Sequence, residues 1–427
     1  MNAPGRAVRA ALAAAVTGAA GTAFAVAVRA DSCDQACQVA WAWEAQHRNA
    51  LPRTTLYDAP HPLRPASLGA LIKQERTSAY VVEGRPVRGV RVLYHSRTSA
   101  GRDIAASGVV LLPPGVKHPK VVVDAHGSSG IGAACAPSLM RDLYHGNQMT
   151  RFLERGYAVV APDYAGLGTD GRPEFVNKTA EAADIVGALR SARQAVPGLS
   201  RDWVLWGHSQ GGGAALGFAE RQVSRPEPGY LGAVVTSPAT DLTALVDHLD
   251  ATSPYGGFVP LIAQGAAFSD PSIRLRKLLT PAALDRIGTT RTGCLNVALA
   301  VYSDLTGERL TRPGYLTDAP FSRYLARNST GRRYVAGPVL FLQGDADTVV
   351  TRQVSDRTAA ALCRTGSRID YRVRPGLEHD TWGGATGIDD GAMPEILAWI
   401  GDRFAGGTAG TAHTCGSPAP ERQGVSR

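Results

Sequence analysis

Beyond residue 30 the chain has no apolar run near the roughly 20 residues that a bilayer-spanning helix requires, so no transmembrane segment is expected there. Cys33 and Cys37 have a metal-like spacing, but no second close Cys or His pair accompanies them, which argues against a zinc site. Basic residues form no stripe interleaved with aromatics. The formal charge of +8 is spread thinly, and nucleic acid is not an expected partner. No internal repeat is visible. What the first residues do contain is Arg6 and Arg9 followed by Ala10 to Val28, mostly Ala and Val without a charge. Val28-Arg29-Ala30 then offers small residues ahead of a cut at Asp31. Residues 1–30 therefore read as a signal peptide and the chain as secreted, with an uncleaved anchor as the alternative. Six cysteines, an even number, suit an oxidising compartment and permit three disulfides.

The most informative stretch is Gly207-His208-Ser209-Gln210-Gly211. It follows the apolar Trp203-Val204-Leu205-Trp206 and precedes the small residues Gly212 to Gly217. That order reads as strand, tight turn and helix, with a serine at the apex and glycines on both sides to make room for the turn. Around it, strand and helix patterns alternate as in a doubly wound, mostly parallel sheet. Val87 to Ser96 pairs with Ile104 to Leu112, and buried strands follow at Val121 to Val123, Tyr157 to Ala161, Trp203 to Trp206 and Leu231 to Val235. The alternation breaks over residues 241–335, where helical runs such as Leu242 to Leu249 and Leu278 to Ile287 dominate. It resumes at Pro338 to Leu342, Ile369 to Val373 and a helix from Pro394 to Phe404. The expected organisation is an N-terminal wrap at 31–75, a core in two parts at 76–240 and 336–405, a helical cap at 241–335 and a flexible tail at 406–427.

A serine hydroxyl needs a base, and the base needs an orienting acid. His379, in the loop after the Ile369 to Val373 strand, is the expected base. Asp347, in Gly344-Asp345-Ala346-Asp347, is preferred to Asp345 as the acid; Glu378 and Asp380 are rivals that project poorly to the far ring nitrogen. His208 is expected to pack beside the serine rather than to activate it. The oxyanion should meet the N–H of Gln210 and that of Ser128, with Gly127 the runner-up, because His126-Gly127-Ser128-Ser129-Gly130 follows a neighbouring strand. Asp163 is expected to lock loops rather than to take part in chemistry.

Together with Ala161-Pro162-Asp163-Tyr164-Ala165-Gly166-Leu167-Gly168, these motifs resemble the secretory lipase family of α/β-hydrolases, in particular its actinobacterial branch. The resemblance runs from about residue 70 to 405. It implies an α/β-hydrolase fold with a cap, a triad of Ser209, Asp347 and His379, and hydrolysis of acylglycerols or smaller esters. It also implies disulfides Cys135–Cys294, Cys363–Cys415 and, for the remaining pair, Cys33–Cys37. The expectation is a secreted, monomeric serine lipase or carboxylesterase that needs no cofactor and no metal and makes transient contact with a lipid interface. Two other readings share the scaffold: a serine peptidase or amidase, and a non-catalytic binding protein.

Overall fold

The computed structural model describes residues 33–407 and Cys415. The signal-peptide reading of residues 1–30 falls outside them, as does most of the 406–427 tail. The N-terminal helix α1 (Gln35–Asn49) begins at Asp34, whose carboxylate caps the Cys37 N–H at 2.9 Å. Three strands follow, β1 (Leu71–Val82), β2 (Arg85–Arg97) and β3 (Asp103–Leu111). Then come β4 (Val121–Ala125), α2 (Gly146–Glu154), β5 (Ala158–Pro162), α3 (Lys178–Ala195), β6 (Trp203–His208), α4 (Gln210–Gln222) and β7 (Tyr230–Thr236).

Between β7 and the next strand lie only helical elements: α5 (Leu242–Ala251), α6 (Phe258–Ser269), α7 (Leu275–Leu278), α8 (Pro281–Asp285), α9 (Leu295–Tyr302), α10 (Ala319–Asn328) and several 3-10 turns. The chain then completes the sheet with β8 (Val339–Gly344), α11 (Arg352–Arg364), β9 (Ile369–Arg374), α12 (Ile388–Gly391) and α13 (Met393–Phe404).

Nine strands run in the order β1-β2-β3-β5-β4-β6-β7-β8-β9. The β1–β2, β2–β3 and β3–β5 pairs are antiparallel, and every pair from β5 to β9 is parallel. Strand alternation splits the central residues between two apolar layers. Val121, Val123, Leu205, Val235 and Phe341 pack with α3 and α4 on one face. Val122, Val204, Trp206, Val234 and Leu340 pack with α2 and α13 on the other. Each such aliphatic side chain contributes about 1.5–3 kcal/mol by leaving water. That rigid core holds the carboxyl ends of β4, β6, β8 and β9, where the loops of interest emerge.

The helical insertion has an apolar core of its own, but it is not detached. That core takes in Ile131 from the loop after β4, Val349 and Val350 from the loop after β8, and packs against Trp382. The Tyr255 to Leu261 segment lies inside this core, with Tyr255 3% and Leu261 0% exposed. It is therefore packed interior.

Two sequence expectations differ from the structure. β1 begins at Leu71 and crosses the expected wrap-to-core boundary at residue 75. Its pattern is hard to read because an edge strand carries charges such as Lys73, Glu75 and Arg76 instead of clean alternation. The Leu278 to Ile287 run is not one helix. The Thr280 hydroxyl caps Ala283 N–H and Pro281 starts a new helix, which keeps the preceding residues extended.

Three disulfides join Cys33 to Cys37, Cys135 to Cys294 and Cys363 to Cys415. The second ties the loop after β4 to the start of α9 across 159 residues. Replacing both of its cysteines by Ser should lower unfolding free energy by about 2–5 kcal/mol in denaturant titrations. A change below about 0.5 kcal/mol would show that packing alone holds the insertion in place.

Candidate active site

Ser209 sits between β6 and α4 at φ 54 and ψ −117, a backbone region that residues with a Cβ rarely occupy and that costs about 1–3 kcal/mol. The surroundings enforce it. The Ser209 N–H donates to Thr236 O at 3.0 Å, while its carbonyl accepts from Ala239 N at 2.9 Å and Gly213 N at 3.1 Å. The flanking glycines are steric requirements: a Cβ on Gly207 would lie 2.3 Å from Gly211 O, and one on Gly211 would lie 1.7 Å from Ala125 O. The hydroxyl is only partly buried, although the residues on both sides are buried.

From Ser209 a hydrogen-bonded relay runs inward. Ser209 Oγ lies 2.9 Å from His379 Nε2, and His379 Nδ1 lies 2.9 Å from Asp347 Oδ2. The remaining carboxylate capacity of Asp347 is filled. Oδ1 accepts from Val349 N at 2.9 Å and Val350 N at 2.8 Å, and Oδ2 accepts from Gln343 Nε2 at 3.0 Å. Asp345 does not approach the imidazole; its Oδ1 instead accepts from Gly376 N at 2.7 Å. Glu378 acts as a clip, with Oε2 accepting from both His379 N at 2.7 Å and Thr348 N at 2.9 Å. It thereby fixes the β9 loop against the β8 loop and leaves the ring nitrogen to Asp347.

The electrostatics follow. Burial acts to lower the His379 pKa, but the Asp347 carboxylate outweighs it with help from Asp380 and Asp389, and the imidazole is pushed up to about 9. Burial would raise the Asp347 carboxyl, yet His379 and the surrounding donors hold it below the usual aspartate range. Behind the serine, burial pushes Glu181 up to about 8, and its Oε1 accepts from Gln210 Nε2 at 2.7 Å. Asp163 is a loop lock, accepting from Ser107 Oγ at 2.6 Å and from Ser138 N at 2.8 Å.

Ser128 and its runner-up Gly127 differ in what holds them. The Gly127 N–H faces His145 Nε2 at 3.4 Å, and His145 Nδ1 faces Asp124 Oδ1 at 3.2 Å, so this imidazole takes up the Gly127 donor. The Tyr144 hydroxyl donates to the Ser128 carbonyl and holds that residue from the other side. A cavity of about 70 Å³ lies behind this loop, walled by Ala42, Ser129, Tyr144 and Leu295 among others; Ser209 does not line it. Sequence reasoning missed His145 and Asp124, which carry no motif, and missed Asp389. His208 Nδ1 lies 3.1 Å from Asp389 Oδ2, and the His208 ring packs 4.6 Å from that of His379.

With this geometry in hand, comparison with known proteins is decisive for the family. A family model described as Secretory lipase matches residues 144–412. The chain belongs to the secretory lipase family. Among its curated relatives, Lipase 10 of Candida albicans is 27% identical over 278 residues, covering 60% of this chain and 57% of that protein. Lipase 5 of the same organism is 26% identical over 385 residues, covering 82% and 80%. The first of these matches thus spans little more than half of the relative's length. The α/β-hydrolase fold is shared with Candida antarctica lipase A, at a TM-score of 0.71 and 19% identity over 87% of this chain and 90% of that one. It is also shared with the rice cell wall degrading esterase LipA of Xanthomonas oryzae, at a TM-score of 0.61 and 20% identity over 80% and 97%.

The His379 titration tests the relay. Asp347→Asn removes the carboxylate that favours imidazolium and leaves the burial that opposes it. The His379 pKa, followed by NMR of the ring protons, should therefore fall by at least about one unit. An unchanged pKa would mean that Asp347 does not govern the ring.

Proposed function

We propose that the chain hydrolyses carboxylic esters, acylglycerols or smaller acyl esters, through a covalent acyl-enzyme on Ser209. The observation that carries this reading is the unbroken series of contacts from Ser209 Oγ to His379 Nε2 and from His379 Nδ1 to Asp347, at 2.9 Å each. Ser209 Oγ attacks the carbonyl carbon as its proton passes to His379 Nε2. Asp347 holds the Nδ1–H tautomer and stabilises the imidazolium without taking the proton. The oxyanion of the tetrahedral intermediate accepts from the N–H groups of Gln210 and Ser128, and the N-terminus of α4 adds a favourable field.

Collapse of the intermediate expels the alcohol, which takes the proton from His379. Water then attacks the acyl carbon as it gives a proton to the same nitrogen; when the Ser209 ester bond breaks, that proton returns to Ser209 Oγ and the acid leaves. The apolar residues that join the insertion to the site loops, Ile131, Val349, Val350 and Trp382, suit a hydrocarbon acyl group. In this reading the 241–335 segment is the cap that sets acyl preference. Export to an oxidising compartment fits three disulfides and the absence of free cysteine among the described residues.

Ser209→Ala should reduce kcat on p-nitrophenyl esters by about 10⁶-fold with the fold retained, as judged by circular dichroism. Asp347→Asn should reduce it by about 10⁴-fold. In the wild type, kcat/KM should rise with pH along a limb set by loss of the His379 proton, with its midpoint above the ordinary histidine value of about 6.5. Undiminished turnover by the folded Ser209→Ala protein would overturn the assignment.

A further inference from the structure

His208 and His379 share an arrangement that the hydrolytic relay does not require. Each ring commits Nδ1 to a buried carboxylate: His208 to Asp389 at 3.1 Å, and His379 to Asp347 at 2.9 Å. A histidine whose Nδ1–H is held by a carboxylate presents Nε2 as a basic lone pair, the second-shell pattern typical of metal-binding histidines. His208 Nε2 is buried and has no hydrogen-bond partner, in a residue that is 2% exposed. Its nearest anionic neighbour is Asp380 Oδ1, at 3.6 Å.

One ligand atom from each of His208, His379 and Asp380 lies within 4.8 Å of the others. In a tetrahedral zinc site with bonds of about 2.0–2.2 Å, ligand atoms stand roughly 3.4 Å apart, which the His208–Asp380 separation already approaches. The Asp380 side chain is 30% exposed, so it can adjust and an ion can enter from solvent. Two imidazoles and one carboxylate favour Zn²⁺ over the hard, all-oxygen cations.

We propose that His208, His379 and Asp380 form an inhibitory Zn²⁺ site at the mouth of the active site. The ion occupies the Nε2 lone pair of His379 that would otherwise accept the Ser209 proton, and a water completes its coordination. Hydrolysis stops while the ion is bound and resumes when a chelator removes it. Binding rests only on the three ligands. Inhibition rests in addition on the reading of Ser209 and His379 as the reacting pair.

The test separates the two. Zn²⁺ binding to the folded Ser209→Ala protein is measured by competition with a chromogenic chelator at one mildly alkaline pH, with and without Asp380→Asn. In parallel, ester hydrolysis by the otherwise unaltered enzyme and by Asp380→Asn is titrated with Zn²⁺, each normalised to its own zinc-free rate. Expected are one Zn²⁺ bound per chain, inhibition reversed by EDTA, and a loss of at least about tenfold in both affinity and inhibition on Asp380→Asn. No binding at millimolar Zn²⁺, or equal binding with and without Asp380, would overturn the proposal. If the enzyme hydrolyses no ester at all, the functional reading fails, while the binding measurement still decides the metal site.

Discussion

The contact on which the site depends is the backbone crossing where β6 passes into α4. Gly207 and Gly211 let two turns of chain and the end of β4 approach so closely that neither position has room for a methyl group. That closeness fixes Ser209 in its strained conformation, keeps its hydroxyl at the surface of an otherwise buried turn, and aims the start of α4 at the same point. The strain is local and is offset by a large apolar core. Four buried parallel strands and their helices over-determine the turn, which is how an unfavourable φ persists in a folded chain.

Around that fixed point the structure solves a separate problem, the alignment of loops from different strands. The β8 loop carries Asp347 and the β9 loop carries His379. The Glu378 carboxylate spans the two by accepting from a backbone N–H of each. On the opposite side, His145 occupies the Gly127 N–H and Tyr144 holds the Ser128 carbonyl. Side chains outside the Ser209–His379–Asp347 relay thus hold the loop backbones around it. The insertion shares an apolar core with these same loops and is tied to one of them by Cys135–Cys294.

How much of this was legible follows from the range of each interaction. The serine turn is a local constraint, written in five consecutive residues, and so was read directly. Asp347 and His379 could be read from strand order, because each lies in the loop just past a buried apolar strand. The resemblance to secretory lipases supplied the disulfide pairing, which cysteine spacing alone leaves open. What could not be read depends on contacts between distant segments: His145 with Asp124, His208 with Asp389, and the burial of Tyr255 to Leu261. The edge strand β1 escaped for a different reason, since half-exposed strands carry polar residues that blur the two-residue period.

The central claim is that Ser209 forms a covalent bond to the acyl group, and trapping that species tests it most directly. The enzyme would be mixed with an activated ester, quenched in acid within the first turnovers and measured by intact mass spectrometry with peptide mapping. The account predicts one acyl group per chain, on the peptide containing Gly207 to Gly211, and on Ser209 by fragmentation. Steady turnover with no adduct, or an adduct on any other residue, would contradict it.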